Sequence, residues 1–438
     1  MAVTSDPKPC IGVVGLWHLG STIAACWAKL GYRVRAVDLD VGVVRALSEG
    51  RPPIYEPGLQ EAIRSGLAAG VLAFSTSVET LRDCRFVFVA YDTPVRDDDT
   101  SDLTVIENVI ERMGLSLDPN AIVIVSAQLP AGTARRLRSR LQQFHTSIEL
   151  VYSPENLRLG EAIACYTRPG HVVIGADDEI AANEVEALFS PMQATCLKMN
   201  LPSAEMTKHA INSFLASSIT LSNQWADLCE AAGADFSQVA EAMRQDPRIG
   251  TRAYLSPGIG FSGGTLGRDL QVLEQLNRTK ANDASPIFGD IWRYNKSRVH
   301  VVRSRCEKVL RSVHGKIIAL LGMTYKPGTS TLRRSLPLEV AEDLGKHGAT
   351  LRVFDPKADW NEVRVPAFLT ICDSPYEALN GADMAVLLTE WPDFLTLDYG
   401  RIRSQLAQPI LLDTKNMLQA RRQDLESLGF KVLAIGRA

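Results

Sequence analysis

Two blocks of alternating strand and helix patterns, separated by a long helical run, restrict this chain of 438 residues to one class of fold. In the first block, short apolar runs rich in β-branched residues predict buried strands at 11–14, 33–37, 86–90, 121–126 and 171–174. Amphipathic stretches such as 21–30 predict helices between the early strands. Alternation of this kind indicates a parallel sheet with helices on both faces.

The second block begins after residue 312 and repeats the alternation, with strands predicted at 316–321, 350–354, 384–388, 410–412 and 432–435. Between the blocks, residues 204–232 contain no Pro or Gly and predict a helix about 40 Å long. A Gly/Pro-rich loop is predicted at 256–267. The predicted fold class is α/β, with two Rossmann-like doubly wound domains joined by a long central helix.

Composition excludes several other classes of protein. The 47 basic and 50 acidic residues give a net charge of −3, so electrostatics offers no case for nucleic acid or an anionic membrane. No apolar stretch approaches the roughly 18 residues of a membrane span, and the N-terminus has no signal-peptide layout. The eight cysteines are scattered without a CxxC pair, which favours free thiols and a cytoplasmic location. The seven histidines show no zinc-ligand spacing, so no metal is predicted.

The first predicted strand ends in a partial dinucleotide-binding fingerprint. Gly15 and Gly20 match the first and last glycines of GxGxxG, and Asp38 ends the second strand, where an acid binds ribose hydroxyls. Trp17 replaces the middle glycine, which normally lets the backbone approach a pyrophosphate. Taken alone, this motif leaves a turn without any ligand as an equal alternative. His18 beside it is either a phosphate contact or, more commonly for such residues, a packed histidine.

Further motifs follow in order along nearly the whole chain. They are Ile54-Tyr-Glu-Pro-Gly58, Thr93-Pro94, Ser153-Pro-Glu155-Asn-Leu-Arg158, Glu205-Met-Thr-Lys208-His-Ala-Ile-Asn212, Asp246-Pro-Arg248, Gly258-Ile-Gly-Phe261, Gly322-Met-Thr-Tyr-Lys326-Pro, Arg333-Arg-Ser335, Thr389-Glu-Trp391 and Asp413-Thr-Lys415-Asn416. In this order they resemble the landmarks of the UDP-glucose/GDP-mannose dehydrogenase family.

The resemblance implies three domains with distinct tasks. Residues 1–200 would bind NAD, 201–300 would form a helical dimerisation domain, and 301–438 would bind a nucleoside-diphosphate sugar, with UDP favoured over GDP. The partner would be a second copy of the chain in a homodimer. Family members oxidise the sugar C6 alcohol to a carboxylate in two hydride transfers, and a cysteine captures the intermediate aldehyde.

The resemblance also implies roles for individual residues. The expected cofactor-binding residues are Gly15, Trp17, His18, Leu19, Gly20, Asp38, Thr93 and Gln128. The expected catalytic residues are Lys208, Asn212, Asp269, Glu155 and Thr265. The expected substrate-binding residues are Asn156, Leu157, Arg158, Arg248, Tyr254, Gly260, Phe261, Lys326 and Arg333.

Structural alternatives stand beside several of these roles. Lys208 and Asn212 would also suit a surface pair on one helix face. Glu155 with Arg158 would suit a loop ion pair. Arg248 would suit a charge at a helix end, Lys326 a solvated lysine, and Thr265 a small residue tolerated in a glycine loop.

Three departures from the family pattern fall on its second oxidation step. Thr265 stands where the nucleophilic cysteine belongs, followed by Gly267 and Arg268 in place of Pro-Lys. Gln128 replaces a threonine that helps to order a catalytic water, and Leu159 replaces the second acid of its segment. A threonine hydroxyl is a poor nucleophile without a positioned base, whereas a thiol is partly ionised near neutral pH.

These departures predict an NAD-dependent oxidation of a nucleotide-sugar alcohol that stops after two electrons, at the aldehyde or ketone. Three alternatives remain open at this stage. They are the conventional four-electron dehydrogenase that makes a uronate, a net epimerase that recycles NAD, and a nucleotide-sugar-binding protein without activity.

Overall fold

The computed structural model describes residues 8–91, 102–155, 157–262, 264–280 and 286–437. The chain divides into two compact units, residues 1–210 and 211–438. Two of the predicted site residues, Thr93 and Asn156, lie outside the described residues. Within the described ranges, no helix is both long enough and apolar enough to cross a membrane.

Strands and helices alternate through the first unit. Its described strands are β1 (Cys10–Val14), β2 (Val34–Val37), β3 (Leu72–Ser75), β4 (Cys84–Val89), β5 (Ile122–Val125), β6 (Glu149–Tyr152), β7 (His171–Gly175) and β8 (Thr195–Met199). Its helices are α1 (His18–Lys29), α2 (Val41–Ser48), α3 (Leu59–Ala68), α4 (Thr104–Gly114), α5 (Thr133–Leu141), α6 (Ala162–Thr167) and α7 (Glu179–Phe189). The strand order is β3-β2-β1-β4-β5-β6-β7-β8.

The first six strands of this sheet have the order typical of a dinucleotide-binding domain. They pair in parallel, whereas β6 and β7 pair antiparallel through Tyr152 and Gly175. The expectation of a parallel sheet therefore holds for β1 to β6 and is wrong for the β6–β7 pair. Apolar cores cover both faces, as predicted. On one face, the fully buried Trp27 donates a 2.8 Å hydrogen bond to the hydroxyl of Tyr166.

A long helix, α8 (Leu201–Ala232), begins in the first unit and continues into the second. Its 32 residues confirm the predicted central helix. The described helices that follow before the second sheet are shorter: α9 (Phe236–Gln245), α10 (Gly264–Lys280), α11 (Ile287–Ser297) and α12 (His300–Leu310). Because α10 already begins at Gly264, the loop predicted to extend to residue 267 is wrong at its end, and Thr265 lies in the first turn of a helix.

The second unit contains the other sheet. Its described strands are β9 (Ile317–Leu321), β10 (Thr350–Phe354), β11 (Leu369–Ile371), β12 (Met384–Leu387), β13 (Ile410–Asp413) and β14 (Lys431–Ala434). Its remaining helices are α13 (Leu336–Lys346), α14 (Pro375–Leu379), α15 (Tyr399–Gln405) and α16 (Arg422–Ser427). All strand pairs are parallel, in the order β11-β10-β9-β12-β13-β14. This is the same order as in the first six strands of the other sheet, which confirms two Rossmann-like domains and a long central helix.

Candidate active site

The loop between β1 and α1 carries the first candidate residues, and its two glycines determine its shape. Gly15 adopts a φ of +90°, a left-handed conformation that favours glycine. A Cβ atom at Gly15 would lie 2.7 Å from the ring of Tyr91. A Cβ atom at Gly20 would lie 1.7 Å from the carbonyl oxygen of Gly15. The backbone therefore requires both glycines of the predicted fingerprint.

Asp38 follows β2 and is almost completely buried. Its Oδ2 accepts a 2.7 Å hydrogen bond from the backbone N–H of Leu16, and its Oδ1 accepts one of 3.0 Å from the N–H of Asp40. An ionised carboxylate has about four acceptor positions. Asp38 thus supports the loop and still retains acceptor capacity for a pair of ribose hydroxyls.

Tyr91, two residues after β4, contributes a phenol close to the same loop. Its hydroxyl oxygen is buried and has no hydrogen-bond partner among the described residues. Burial raises the pKa of Tyr91 to about 12, and the negative charge of Asp38 acts in the same direction. The side chain is therefore a neutral hydrogen-bond donor beside Gly15 and Asp38.

Trp17 occupies the position of the missing middle glycine and is half-buried. Its ring lies edge-on to the ring of His18, with centroids 6.3 Å apart. The His18 side chain is buried and its Nε2 lies 2.9 Å from Oε2 of Glu56. No side chain among the described residues caps the N-terminus of α1. Amides of a first helical turn that lack a side-chain acceptor form a suitable donor set for the pyrophosphate of NAD.

The segment after β6 carries Glu155, and the backbone of this residue receives a candidate catalytic side chain. The ammonium group of Lys208 on α8 donates a hydrogen bond to the carbonyl oxygen of Glu155. Lys208 is buried, so the surface-pair alternative does not describe it. Leu157 packs against the first core, whereas the exposed Arg158 forms an ion pair with Glu161 at 3.2 Å. Gln128, after β5, is half-buried.

In the second unit, Asn212 and Asp269 form a buried pair. The side-chain amide of Asn212 on α8 donates to Oδ2 of Asp269 on α10, and Asp269 has no exposed surface. Thr265 lies four residues before Asp269 on the same face of α10, and its side chain is exposed. The structure therefore places Asn212 and Asp269 in direct contact, and Thr265 lies one helical turn away from Asp269.

A packing contact accounts for one departure from the family pattern. A Cβ atom at Gly267 would lie 2.5 Å from the indole ring of Trp292 on α11. Proline would carry that atom and its whole ring into the space that Trp292 occupies. The glycine in place of the family proline is therefore matched to the tryptophan. The neighbouring Arg268 is buried.

The glycine loop before α10 is fastened at both ends by buried polar side chains. The backbone N–H of Gly258 donates to Asn223 at 2.7 Å, and its carbonyl oxygen accepts from Arg298 at 2.9 Å. Asn295 accepts from the N–H of Phe261 at 2.8 Å and donates to its carbonyl oxygen at 3.1 Å. Gly260, at φ +106°, leaves room for Asn295, because a Cβ atom there would lie 2.5 Å from its amide oxygen. These bonds hold the backbone around Gly260 and Phe261, two of the expected substrate-binding residues.

Two other expected substrate-binding residues lie on the surface of the second unit. Arg248 bonds to Asp246 through Nε at 3.0 Å and Nη2 at 2.7 Å, yet 87% of its side chain is exposed. Tyr254 is half exposed. Both side chains are therefore accessible to another molecule.

The loop after β9 holds Lys326 and repeats the layout of the loop after β1. Gly322 adopts φ +88°, and Oδ2 of the carboxylate that follows β10, Asp355, accepts a 2.7 Å bond from the N–H of Met323. Further donors to Asp355 are Thr324 N and Oγ1, Trp391 Nε1, Lys357 N and Ala358 N. Lys326 is half-buried in this loop. Arg333 is exposed, and its Nε lies 3.7 Å from Glu362.

Several residues that organise these loops were not among the expected site residues: Glu56, Tyr91, Asn223, Asn295 and Arg298. Glu56 stands within the motif Ile54-Tyr-Glu-Pro-Gly58, and the single acid of that motif could have marked it. The other residues lie in segments whose sequence carries no separate signal. In the part of the chain that the structure describes, no group of three or more His, Cys, Asp or Glu side chains could hold a metal ion.

Comparison with known proteins gives matches over nearly the whole chain. Three models of the UDP-glucose/GDP-mannose dehydrogenase family match: the NAD binding domain at 10–193, the central domain at 202–296 and the UDP binding domain at 319–420. The UDP-glucose 6-dehydrogenase of Pseudomonas aeruginosa is 34% identical, with 97% of each chain covered. TuaD of Bacillus subtilis, also a UDP-glucose 6-dehydrogenase, is 31% identical over 98% of this chain and 93% of its own.

Solved structures match equally well. A UDP-glucose dehydrogenase from Pyrobaculum islandicum superimposes with a TM-score of 0.89 at 28% identity, with 100% of both chains covered. A UDP-D-ManNAc dehydrogenase from Pyrococcus horikoshii gives a TM-score of 0.85 at 26% identity, covering 98% of this chain and 99% of that one.

Proposed function

Because this chain belongs to the UDP-glucose/GDP-mannose dehydrogenase family, we propose a specific reaction for it: the oxidation of a nucleotide-sugar alcohol by two electrons only. It is an NAD-dependent oxidoreductase that acts on nucleotide sugars. The product proposed here is the aldehyde or ketone rather than the carboxylate. The observation that carries this proposal is the buried Asn212–Asp269 pair with the exposed Thr265 one helical turn away.

The first oxidation needs a hydroxyl group held in place and an acceptor for its proton. We assign Lys208, Asn212 and Asp269 to orient the hydroxyl and an ordered water. Asp269 or that water accepts the proton of the hydroxyl. NAD, when bound, supplies the acceptor for the hydride. The alcohol thus loses one proton and one hydride and becomes a carbonyl compound, with one NADH formed for each sugar.

The second oxidation lacks the groups that would capture and hydrolyse its intermediate. A thiol adds to an aldehyde because part of it is ionised near neutral pH, whereas an unassisted threonine hydroxyl is not. Leu159 and Gln128 supply neither an acid nor a hydroxyl for a catalytic water. The carbonyl product is therefore expected to leave the enzyme.

The remaining binding residues are assigned in the same way. NAD would use Gly15, Trp17, His18, Leu19, Gly20, Asp38, Thr93 and Gln128. The sugar nucleotide would use Asn156, Leu157, Arg158, Tyr254, Gly260, Phe261, Lys326 and Arg333, and Glu155 stays among the expected catalytic residues. We retain the division into 1–200, 201–300 and 301–438 for NAD binding, dimerisation and nucleotide-sugar binding. UDP-glucose is the first substrate to test, because the curated relatives are named for it.

We also propose a homodimer that associates through α8. Phe214, Leu221 and Leu228 are 72%, 48% and 56% exposed and follow one another at intervals of seven residues. Apolar side chains at that spacing form one stripe along a helix. Such a stripe favours burial against another apolar surface. In a dimer, the exposed Arg248 would reach the substrate of the neighbouring chain.

The dimer proposal is tested by analytical ultracentrifugation at micromolar concentration. Leu221→Asp should give a monomer, whereas Leu115→Asp, at a more exposed leucine that directly follows α4, should leave the dimer intact. A monomeric wild-type protein would exclude the dimer and the proposed role of Arg248.

The reaction itself is tested by incubating the protein with NAD and a panel of nucleotide sugars. Absorbance gives the NADH formed and mass spectrometry gives the product. One NADH per sugar with an aldehyde or ketone is the expected result. Two NADH with a uronate would contradict the proposal, and so would an isomeric sugar with no accumulated NADH.

Replacing the threonine tests why the reaction stops. Thr265→Cys should form a covalent sugar adduct, detected by intact-protein mass spectrometry. The adduct should hydrolyse slowly, because Gln128 and Leu159 remain. Thr265→Ser is the matched control and should form no adduct. An adduct-free cysteine variant with unchanged stoichiometry would show that the thiol alone does not limit the chemistry.

A further inference from the structure

Glu56 joins two loops of the first unit that are far apart in sequence. Its carboxylate lies in the turn before α3 and is completely buried. Oε2 accepts a 2.9 Å bond from Nε2 of His18 and a 2.8 Å bond from the N–H of Gly160, and Oε1 accepts a 2.8 Å bond from the N–H of Ala162. These partners lie 38, 104 and 106 residues away along the chain.

A buried carboxylate is stable only when hydrogen bonds replace its lost hydration. Glu56 meets this requirement with three donors, and hydrogen bonds to an ionised group are roughly twice as strong as neutral ones. If either loop moved, the Glu56 carboxylate would lose one or two of its three hydrogen-bond donors. The residue therefore acts as a fixed junction between the loops.

Both loops carry residues assigned to the reaction. His18 is the first residue of α1 and directly follows Trp17 in the loop expected to bind the pyrophosphate. Gly160 and Ala162 lie at the end of the segment that begins with Glu155, whose carbonyl oxygen receives the ammonium group of Lys208.

We propose that Glu56 is a positioning residue that keeps the dinucleotide loop in register with the Glu155 segment. It contacts neither the cofactor nor the sugar. It acts through His18 on one side and through the backbone at 160–162 on the other. This inference rests on the proposed function, because it assumes that both segments serve one reaction.

Glu56→Gln is the first test. The glutamine keeps the size of the side chain, but its NH₂ group must face at least one of the three donors. We expect the Kd for NAD, measured by calorimetry, to rise about tenfold and kcat to fall about 100-fold, as a small misplacement of catalytic groups can cause. Hydrogen exchange should increase in both segments, 16–22 and 157–167, because one carboxylate holds them together.

A control variant separates this effect from general loss of stability. Asp383→Asn in the second unit also removes a partly buried carboxylate that accepts a backbone N–H, from Ile317 at 3.0 Å. It should lower Tm without changing the Kd for NAD or the exchange of either segment. An increase in exchange throughout the first unit of Glu56→Gln, with unchanged Kd and kcat, would assign Glu56 a structural role and overturn the proposal.

Variants of His18 test the same bond if Glu56→Gln does not fold. His18→Ala removes the donor, whereas His18→Gln retains a side-chain N–H. We expect His18→Ala to increase hydrogen exchange in the distant segment 157–167, which a direct contact of His18 with NAD would not do, and His18→Gln to restore most of the protection. Equal behaviour of the two variants would overturn the proposal.

The proposed function and this inference fail in different ways. If wild-type protein forms no NADH with any nucleotide sugar, the proposed function fails. The NAD affinity and hydrogen exchange of the Glu56 and His18 variants still decide the role of Glu56 in that case.

Discussion

The two Rossmann-like sheets place an aspartate at the same position but use it differently. Asp38 follows the second strand of the first sheet and accepts two backbone hydrogen bonds. Asp355 follows the corresponding strand of the second sheet and accepts six, including bonds from Thr324 and Trp391. Six donors exceed the roughly four acceptor positions of a carboxylate, so some share one. One aspartate retains capacity for a ligand and the other has none.

The difference shows how one fold supports two tasks. In the second unit, Thr324 and Trp391 use hydrogen-bonding capacity of Asp355 that ribose hydroxyls would need. The family model for this unit describes UDP binding, and the corresponding aspartate is then a structural element. Strand order alone does not predict which sheet binds the dinucleotide. The smaller number of donors around Asp38 is the feature that favours the first sheet.

The largest expected effect comes from distorting the loop between β1 and α1. Gly20→Ala places a Cβ atom 1.7 Å from the carbonyl oxygen of Gly15, so the loop must open. NAD affinity should fall by at least roughly 100-fold, measured by calorimetry. UDP binding by the second unit should persist. Gly170→Ala, at a glycine with open space around it, is the control and should bind NAD normally. Normal NAD affinity in Gly20→Ala would exclude this loop as the NAD site.

Removing the charge of Asp355, whose acceptor positions are all used, tests its structural role. Asp355→Asn leaves several buried donors poorly matched, so the free energy of unfolding should fall by about 3 kcal/mol. Asp38→Asn should lower it by only about 1 kcal/mol, because fewer donors are affected. Denaturant titration measures both values. An equal loss in the two variants would contradict the proposed division between a structural and a ligand-binding aspartate.

Ligand binding should show the opposite order. Asp38→Asn should raise the Kd for NAD about tenfold, the loss expected for one hydrogen bond to a charged group. Asp355→Asn should leave it unchanged in the fraction that remains folded. Calorimetry at a temperature where both variants are folded gives the comparison. A larger effect from Asp355 would assign the dinucleotide to the second unit.

The smallest expected effect concerns Tyr91. Tyr91→Phe removes a hydroxyl without a described partner, so stability should change little and the Kd for NAD should rise about threefold, as for one neutral hydrogen bond. Because burial raises the pKa of Tyr91 to about 12, the phenol stays protonated and NAD affinity should not depend on it between pH 7 and about 10. The prediction of a protonated phenol would be contradicted if the NAD affinity of the wild-type protein fell near pH 9 and that of Tyr91→Phe did not.

Much of the fold could be predicted because buried strands form continuous apolar runs. The strands missed were β3, β6, β8 and β11. Three of them lie at sheet edges and are less buried than the central strands, so the pattern of a fully buried strand is absent. The fourth, β6, is short and begins with a charged residue. The antiparallel pairing of β7 depends on the path of the chain after β6, which local periodicity does not encode.

The candidate site was only partly predictable. The family motifs identified Lys208, Asn212 and Asp269 as expected catalytic residues, and the structure shows a hydrogen bond for each. Glu56 was not identified because its partners are distant in sequence, and spacing reveals contacts only within one helix or turn. The roles of all these residues in binding and catalysis stay predictions until the variants are measured.

The contact between Gly267 and Trp292 limits how the family loop could be rebuilt in this protein. Restoring the family cysteine at position 265 needs one substitution at an exposed site, which the surroundings permit. The surroundings do not permit the family proline at position 267, because the indole of Trp292 already fills that space. A proline at position 267 would require Trp292 to shift or to be replaced by a smaller residue. Positions 267 and 292 are therefore coupled, and rebuilding the family loop requires changes in two helices, α10 and α11, rather than one substitution.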